Sequence, residues 1–119
     1  MHSNLYHYKI LEVVSVYDAD SLTVQVSLGR HLRDRWTLRL ARINAPEMRD
    51  PDPEVRVKAY AARDYLRGRL EAAMSTGSEV IIHSVKLEKY GRSLAELYID
   101  DVNINDELLE MGLAVIYGG

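Results

Sequence analysis

Several residue types are absent or scarce in this chain of 119 residues, and each shortage excludes a class of protein. There is no cysteine, which excludes disulfide bridges and cysteine-ligated zinc. There is no phenylalanine either, yet 47% of the residues are hydrophobic, and this composition argues against a disordered chain. No apolar run approaches the roughly 20 residues that span a bilayer, so we expect no membrane contact. This length predicts one domain over residues 1–119, and we expect a monomer.

The first nine residues lack the order of basic, apolar and small residues that marks a secretory signal. We therefore expect a cytoplasmic protein, or a secreted one if a leader has been removed. The net charge of −3 provides no global positive field to attract nucleic acid. The arginines are nevertheless concentrated in one window, which contains Arg30, Arg33, Arg35, Arg39, Arg42 and Arg49. Such a cluster suits either a solvated surface or an anion-binding one.

Hydrophobic periodicity predicts five strands and two helices. The clearest strand is Leu22–Leu28, in which apolar and polar residues alternate strictly. The other predicted strands are Ile10–Tyr17, Arg35–Ile43, Glu79–Leu87 and Ser93–Ile99. A long amphipathic helix is predicted to begin near Pro53, with Asp52 as its N-cap, and to end before Gly77.

A shorter helix is predicted to follow the last strand, with Asn105 as its N-cap and Gly112 as its terminator. The apolar segment Leu113–Tyr117 is expected to dock on the core. The resulting order, β-β-β-α-β-β-α, predicts a mainly β protein with helices (α+β), arranged as the five-stranded oligonucleotide/oligosaccharide-binding (OB) barrel. Closure of the barrel is an inference from this order, because periodicity does not reveal which strands pair.

Candidate functional residues lie at strand ends and turns. Asp18 and Asp20 flank Ala19 at the first strand break, where two carboxylates suit either a hard divalent cation or hydrogen bonds within a turn. Arg39 lies within a predicted strand and needs an anionic partner, which could be Asp20, Glu47 or a substrate phosphate. Pro46 stiffens the loop that presents Glu47.

A third candidate segment, Lys89–Arg92, joins the last two predicted strands. Gly91 permits a tight turn there, so Lys89 and Arg92 could reach one anion, although a solvated hairpin tip is the commoner arrangement.

The segments Val16–Ser21, Leu38–Glu47 and Lys89–Arg92 together resemble the three signature segments of the staphylococcal nuclease (thermonuclease) family. The resemblance runs in register from about Val13 to Tyr117. It implies a calcium-dependent endonuclease that acts on DNA and RNA, with Mg²⁺ or Mn²⁺ as alternative ions.

The resemblance also implies roles for individual residues. It assigns the metal to Asp20, Asn44 and the backbone carbonyl of Ala45, with Asp18 in the outer shell. The residues assigned to catalysis and to substrate phosphate are Arg39, Glu47 and Arg92, and then Lys89 and Tyr90.

One departure from the family pattern concerns the metal. Asn44 stands where the family usually has an Asp ligand, so we expect a weaker site that needs millimolar Ca²⁺ or another cation. Two rival hypotheses remain open at this point. The chain could be a non-catalytic barrel that binds nucleic acid or a peptide, or a structural domain of a larger assembly.

Overall fold

Long strands dominate the computed structural model, which describes residues 6–87 and 92–117. The strands are β1 His7–Asp18, β2 Ser21–Gly29, β3 Leu32–Leu40, β4 Ile43–Asn44, β5 Val80–Leu87, β6 Arg92–Ile99, β7 Val102–Asn103 and β8 Val115–Ile116, and the helices are α1 Pro53–Thr76 and α2 Ile104–Glu110. The long elements follow the predicted order β-β-β-α-β-β-α, which is confirmed.

The five long strands close into a barrel. They are hydrogen-bonded in the order β3-β2-β1-β5-β6, and β3 also pairs with β6, in parallel, so that the last strand meets the first. Strict alternation of buried and exposed side chains along β2 and β6 fills the interior. The predicted OB-like barrel is therefore confirmed.

Helix α1 packs the face predicted from its spacing against the barrel. Its buried residues are Ala59, Ala62, Leu66, Leu70 and Ala73. Asp52 caps the first turn, since its side chain accepts a hydrogen bond from the Glu54 N–H, and Gly77 ends the helix with a φ of 78°. Within the described ranges, neither helix is long and apolar enough to cross a membrane.

The third strand ends earlier than predicted. It stops at Leu40 rather than Ile43, because the chain turns at Ala41 and Arg42, where Arg42 has a φ of 69°. A left-handed residue cannot continue a strand. The chain then re-extends as β4, which pairs with β8.

The expectation that Leu113–Tyr117 docks on the core was only partly right. Leu113 packs against the core and Ala114 is buried, but Val115 and Ile116 are 64% and 74% exposed. Backbone pairing with β4, together with the Tyr117 N–H bond to the Arg42 carbonyl, holds this segment instead.

The predicted cap of the second helix was wrong. Asn103 is the N-cap of α2, since its side chain accepts a hydrogen bond from the Asp106 N–H, and Asn105 lies within the first turn. Asn105 is fully buried: its Oδ1 accepts from Leu97 N–H, and its Nδ2 donates to the carbonyls of Ala41 and Ala95. It therefore ties α2 to the backbone that surrounds the strand break at Ala41.

Candidate active site

The turn between β1 and β2 places two carboxylates at one end of the barrel. The Oδ1 of Asp18 accepts a hydrogen bond from the Asp20 N–H at 3.1 Å, which closes the turn. Ala19 is fully buried between them and anchors the turn in the core. Asp20 is only 6% exposed, so its carboxylate needs partners inside the protein.

Asp20 finds those partners on β3 and on the proline loop. Its Oδ2 lies 3.2 Å from Arg39 Nη1 and accepts a hydrogen bond of 2.7 Å from the Ala45 N–H. Its Oδ1 accepts a further bond from the Ser21 hydroxyl. Of the anionic partners weighed for Arg39, the structure pairs it with Asp20.

Further bonds to the proline loop fix the Arg39 guanidinium in place. Nη1 donates to the carbonyls of Leu40 and Ile43, both at 3.0 Å, and Nη2 donates to Asn44 Oδ1 at 3.4 Å. Its carbon Cζ lies 5.6 Å from the centre of the Tyr117 ring, a cation–π distance. Arg39 thus joins the strand break at Ala41 to the Asp20 turn.

Crowding of negative charge shows in the pKa of the two turn carboxylates. Burial, a hydrogen bond shared with Asp20, and the charges of Asp20 and Glu47 together raise the pKa of Asp18 to about 7. Burial opposes ionisation of Asp20 as well. Its hydrogen bonds from Asp18 and the Ala45 N–H, with the charge of Arg39, outweigh burial and hold the pKa of Asp20 below its usual range. Glu47 is exposed on the loop, and its charge reaches Asp18.

Arg92 joins this group because of how the barrel closes. The parallel pairing of β3 with β6 sets Arg92 beside Thr37, two residues before Arg39 on β3. Arg39 and Arg92 line a common cavity of about 380 Å³, together with Arg42, Lys86 and Tyr117. Arg92 also lines a second cavity, of about 300 Å³, with Asp18. It therefore stands between the carboxylate turn and the arginine cavity.

The predicted site residues thus come together where the structure describes them. Asp18, Asp20, Arg39, Asn44, Ala45, Glu47 and Arg92 lie around the two adjoining cavities. Lys89 and Tyr90, the predicted phosphate contacts, lie outside the described residues. The functional roles of all these residues stay predictions.

Three residues that line the arginine cavity were missed. Arg42 reaches it from its left-handed turn, where Glu96 accepts from both Nε and Nη2 and Asp106 also accepts from Nη2. Lys86 comes from β5, and Tyr117 from the segment held by β4. Only the barrel register and the turn at Arg42 bring them here, and no local sequence pattern signals either.

The chemistry of the donors decides whether a divalent cation fits. Hard cations such as Ca²⁺ take six to eight oxygen ligands, from carboxylates, amides, carbonyls and water. Asp18 and Asp20 share a hydrogen bond at the turn, and the Asn44 amide oxygen lies at the same arginine as Asp20. Within residues 6–87 and 92–117, no three His, Cys, Asp or Glu side chains form a metal-binding group. An ion here would thus have two carboxylates and complete its shell with amide, carbonyl and water oxygens, and the donor set fits on those terms.

A closed OB-like barrel that carries two arginines and two carboxylates at one end belongs to the class of domains built to handle phosphate esters of nucleic acids. The family model described as "Staphylococcal nuclease homologue" matches residues 37–118. The chain belongs to the staphylococcal nuclease family, whose domains are nucleases or nucleic-acid-binding modules. The search of curated proteins found no match.

Proposed function

We propose that the protein is a metal-dependent endonuclease that hydrolyses phosphodiester bonds of DNA and RNA, with Ca²⁺ as the ion and Mg²⁺ or Mn²⁺ as alternatives. The observation that carries this proposal is the meeting of Arg39, Arg92 and Asp20 with the Glu47 loop around adjoining cavities. Membership of the nuclease family supports the same reaction class.

The two arginines bind and orient the phosphate. Each guanidinium offers a planar set of donors that matches two phosphate oxygens, and negative charge on those oxygens grows during hydrolysis. Arg39 is held by Asp20 and by two carbonyls, so it is preorganised and loses little entropy when a phosphate arrives.

Glu47 orients the attacking water and accepts its proton. It is exposed on the loop that Pro46 stiffens, and its carboxylate is near enough to influence Asp18 electrostatically. Asp20 acts as a positioning residue as well, since it holds both Arg39 and the Ala45 N–H at the start of this loop.

Asp20, Asn44 and the Ala45 carbonyl would hold the metal, with Asp18 in the outer shell. When bound, a divalent cation supplies Lewis-acid stabilisation of charge on a non-bridging phosphate oxygen. Asn44 gives the site one negative charge fewer than an Asp would, which supports a requirement for millimolar Ca²⁺.

The same amide supports one alternative function. A site with two carboxylates could have lost the affinity for metal that cleavage needs, leaving a module that binds nucleic acid or a peptide without cutting it. Metal-dependent cleavage separates the two functions.

The test is cleavage of end-labelled single-stranded DNA and RNA in Ca²⁺ or in chelator, with Glu47→Gln as the variant. We expect cleavage by the wild type in Ca²⁺, none in chelator, and a rate roughly 10²- to 10⁴-fold lower in Glu47→Gln. Lys58→Gln, an exposed change on α1, is the control and should keep the wild-type rate. Cleavage that survives both chelator and Glu47→Gln would refute the mechanism. Binding without any cleavage would favour the alternative.

A further inference from the structure

We propose that the outward face of β2 and β3 is an extended binding track for single-stranded nucleic acid that leads away from the candidate active site. The inference rests on the proposed function, because it assigns that site a polymeric, single-stranded substrate. The β2–β3 track consists of outward-facing residues of the two strands, namely Thr23, Gln25, Ser27, Arg33, Arg35 and Thr37.

The strand register makes the track continuous with the site. Cross-strand partners on this face begin with Ser21 and Arg39, which both bind Asp20. The next pairs, toward the hairpin, are Thr23 with Thr37, Gln25 with Arg35, and Ser27 with Arg33. Since every second residue of a strand faces the same side, Arg39, Arg35 and Arg33 share one face.

The charges on the track are available to a ligand. Elsewhere, Arg39, Arg42, Arg63, Arg67 and Arg69 each lie within ion-pair distance of a carboxylate. By contrast, in the part of the chain that the structure describes, neither Arg33 nor Arg35 forms an ion pair with an acid. Arg33 donates from Nη1 to Gln25 Oε1 at 3.1 Å, a neutral contact that lays its side chain along the sheet. Two exposed guanidiniums in line with Arg39 therefore present uncompensated positive charge to a phosphate backbone.

An aromatic side chain stands where the track meets the site. Tyr17 is 69% exposed, and it lines the cavity of about 300 Å³ with Asp18, Thr23, Thr37 and Arg92. Exposure of a large aromatic ring beside cations and hydroxyls is the arrangement on which unpaired bases stack. Bases in a duplex are already stacked on each other, so this feature favours a single strand.

The length of the track suits a polymer. From Arg39 to Arg33 the strand advances six residues, which is roughly 20 Å at about 3.3 Å per residue. Such a length accommodates several nucleotides, within the site sizes of about 4 to 16 nucleotides that single OB barrels cover.

The test compares binding of a fluorescein-labelled oligothymidylate of about 16 nucleotides with that of a trinucleotide, by fluorescence anisotropy in chelator so that nothing is cleaved. The variant is Arg33→Gln/Arg35→Gln. Loss of two contacts with a single strand lowers the slope of log Kd against log salt by about 1.4, so Kd for the long oligonucleotide rises roughly 25-fold at 0.1 M salt. The advantage of the long oligonucleotide over the short one should shrink by the same factor.

Matched variants separate the track from general charge and from packing. Lys9→Gln/Lys58→Gln removes the same charge from exposed positions on β1 and α1, and it should leave Kd within about twofold of the wild type. Tyr17→Ala should weaken binding about fivefold or more, whereas Tyr17→Phe keeps the stacking ring and should restore most of the affinity. A duplex of the same sequence length should bind more weakly than the single strand.

The outcomes distinguish this inference from the proposed function. If the wild type cleaves DNA but Arg33→Gln/Arg35→Gln keeps its length dependence and salt slope, the track is refuted and the proposed function stands. If the wild type never cleaves but the double variant loses the advantage of the long oligonucleotide, the track stands and the catalytic proposal fails. Duplex binding as tight as single-strand binding would overturn the assignment of the ligand.

Discussion

Replacing Arg39 with methionine should destabilise the fold by leaving the Asp20 carboxylate without its cation. Methionine keeps most of the aliphatic stem, so the loss is mainly electrostatic. Removing one partner of a buried ion pair costs about 3–5 kcal/mol. The side chains of Arg39 and Asp20 keep 14% and 9% exposure, and the Ala45 N–H and Ser21 hydroxyl still bind the carboxylate, which reduces the cost. We expect a loss of about 2–3 kcal/mol in the free energy of unfolding.

Urea denaturation followed by tyrosine and tryptophan fluorescence measures this loss, and two variants make it specific. Arg35→Met removes an exposed arginine from the same strand and should change stability by less than about 0.5 kcal/mol. In an Asp20→Asn background, whose amide oxygen can still accept from Ala45 N–H, Arg39→Met should cost about 1 kcal/mol or less. Equal costs in the two backgrounds, or a cost below about 0.5 kcal/mol in the wild type, would refute the pairing as the reason Asp20 can be buried.

Three further predictions test other parts of the structure. Asn105→Leu should cost about 2–4 kcal/mol in urea denaturation, because the buried Leu97 N–H loses its acceptor; a loss under 1 kcal/mol would contradict this. Burial and the charge of the stacked His7 lower the pKa of His83, so the unfolded state takes up its proton first as the pH falls. His83→Gln should therefore gain stability relative to the wild type between pH 7.5 and 5, and a pH-independent difference would contradict the assignment. Asn44→Asp should lower the Ca²⁺ concentration for half-maximal cleavage about tenfold, and an unchanged metal titration would remove Asn44 as a ligand.

The elements that could be predicted are those whose local pattern matches their final surroundings. Leu22–Leu28 alternates strictly because one face of β2 fills the barrel, and the structure confirms it as Ser21–Gly29. Asp52 and Gly77 bound α1 as predicted, since a cap is formed by residues adjacent in sequence. These features need no knowledge of which strand lies next to which.

Other features depend on contacts that are distant in sequence. Asn105 looks like a helix cap, but the barrel recruits it to bind backbone groups of β6 and of the Ala41 turn, so Asn103 takes the capping role. Arg42 adopts a left-handed φ that its residue type does not favour, and its ion pairs with Glu96 and Asp106 hold it there.

The candidate site shows the same division. The segments that contain Asp20, Arg39 and Glu47 could be chosen from the sequence by their residue types and order. The choice of Asp20 rather than Glu47 as the partner of Arg39 required the turn and the third strand to be placed side by side, which the Ser21–Arg39 register does.

The central claim is that Arg39 and Arg92 act on one phosphate, and single-turnover cleavage of a single-stranded oligonucleotide in Ca²⁺ tests it most directly. Arg39→Lys and Arg92→Lys keep the positive charge but lose the bidentate fork, and each should slow cleavage roughly 10²-fold or more. Because both guanidiniums would serve the same transition state, the double variant should lose clearly less than the product of the two single effects. Full cleavage rates in either single variant would contradict the account.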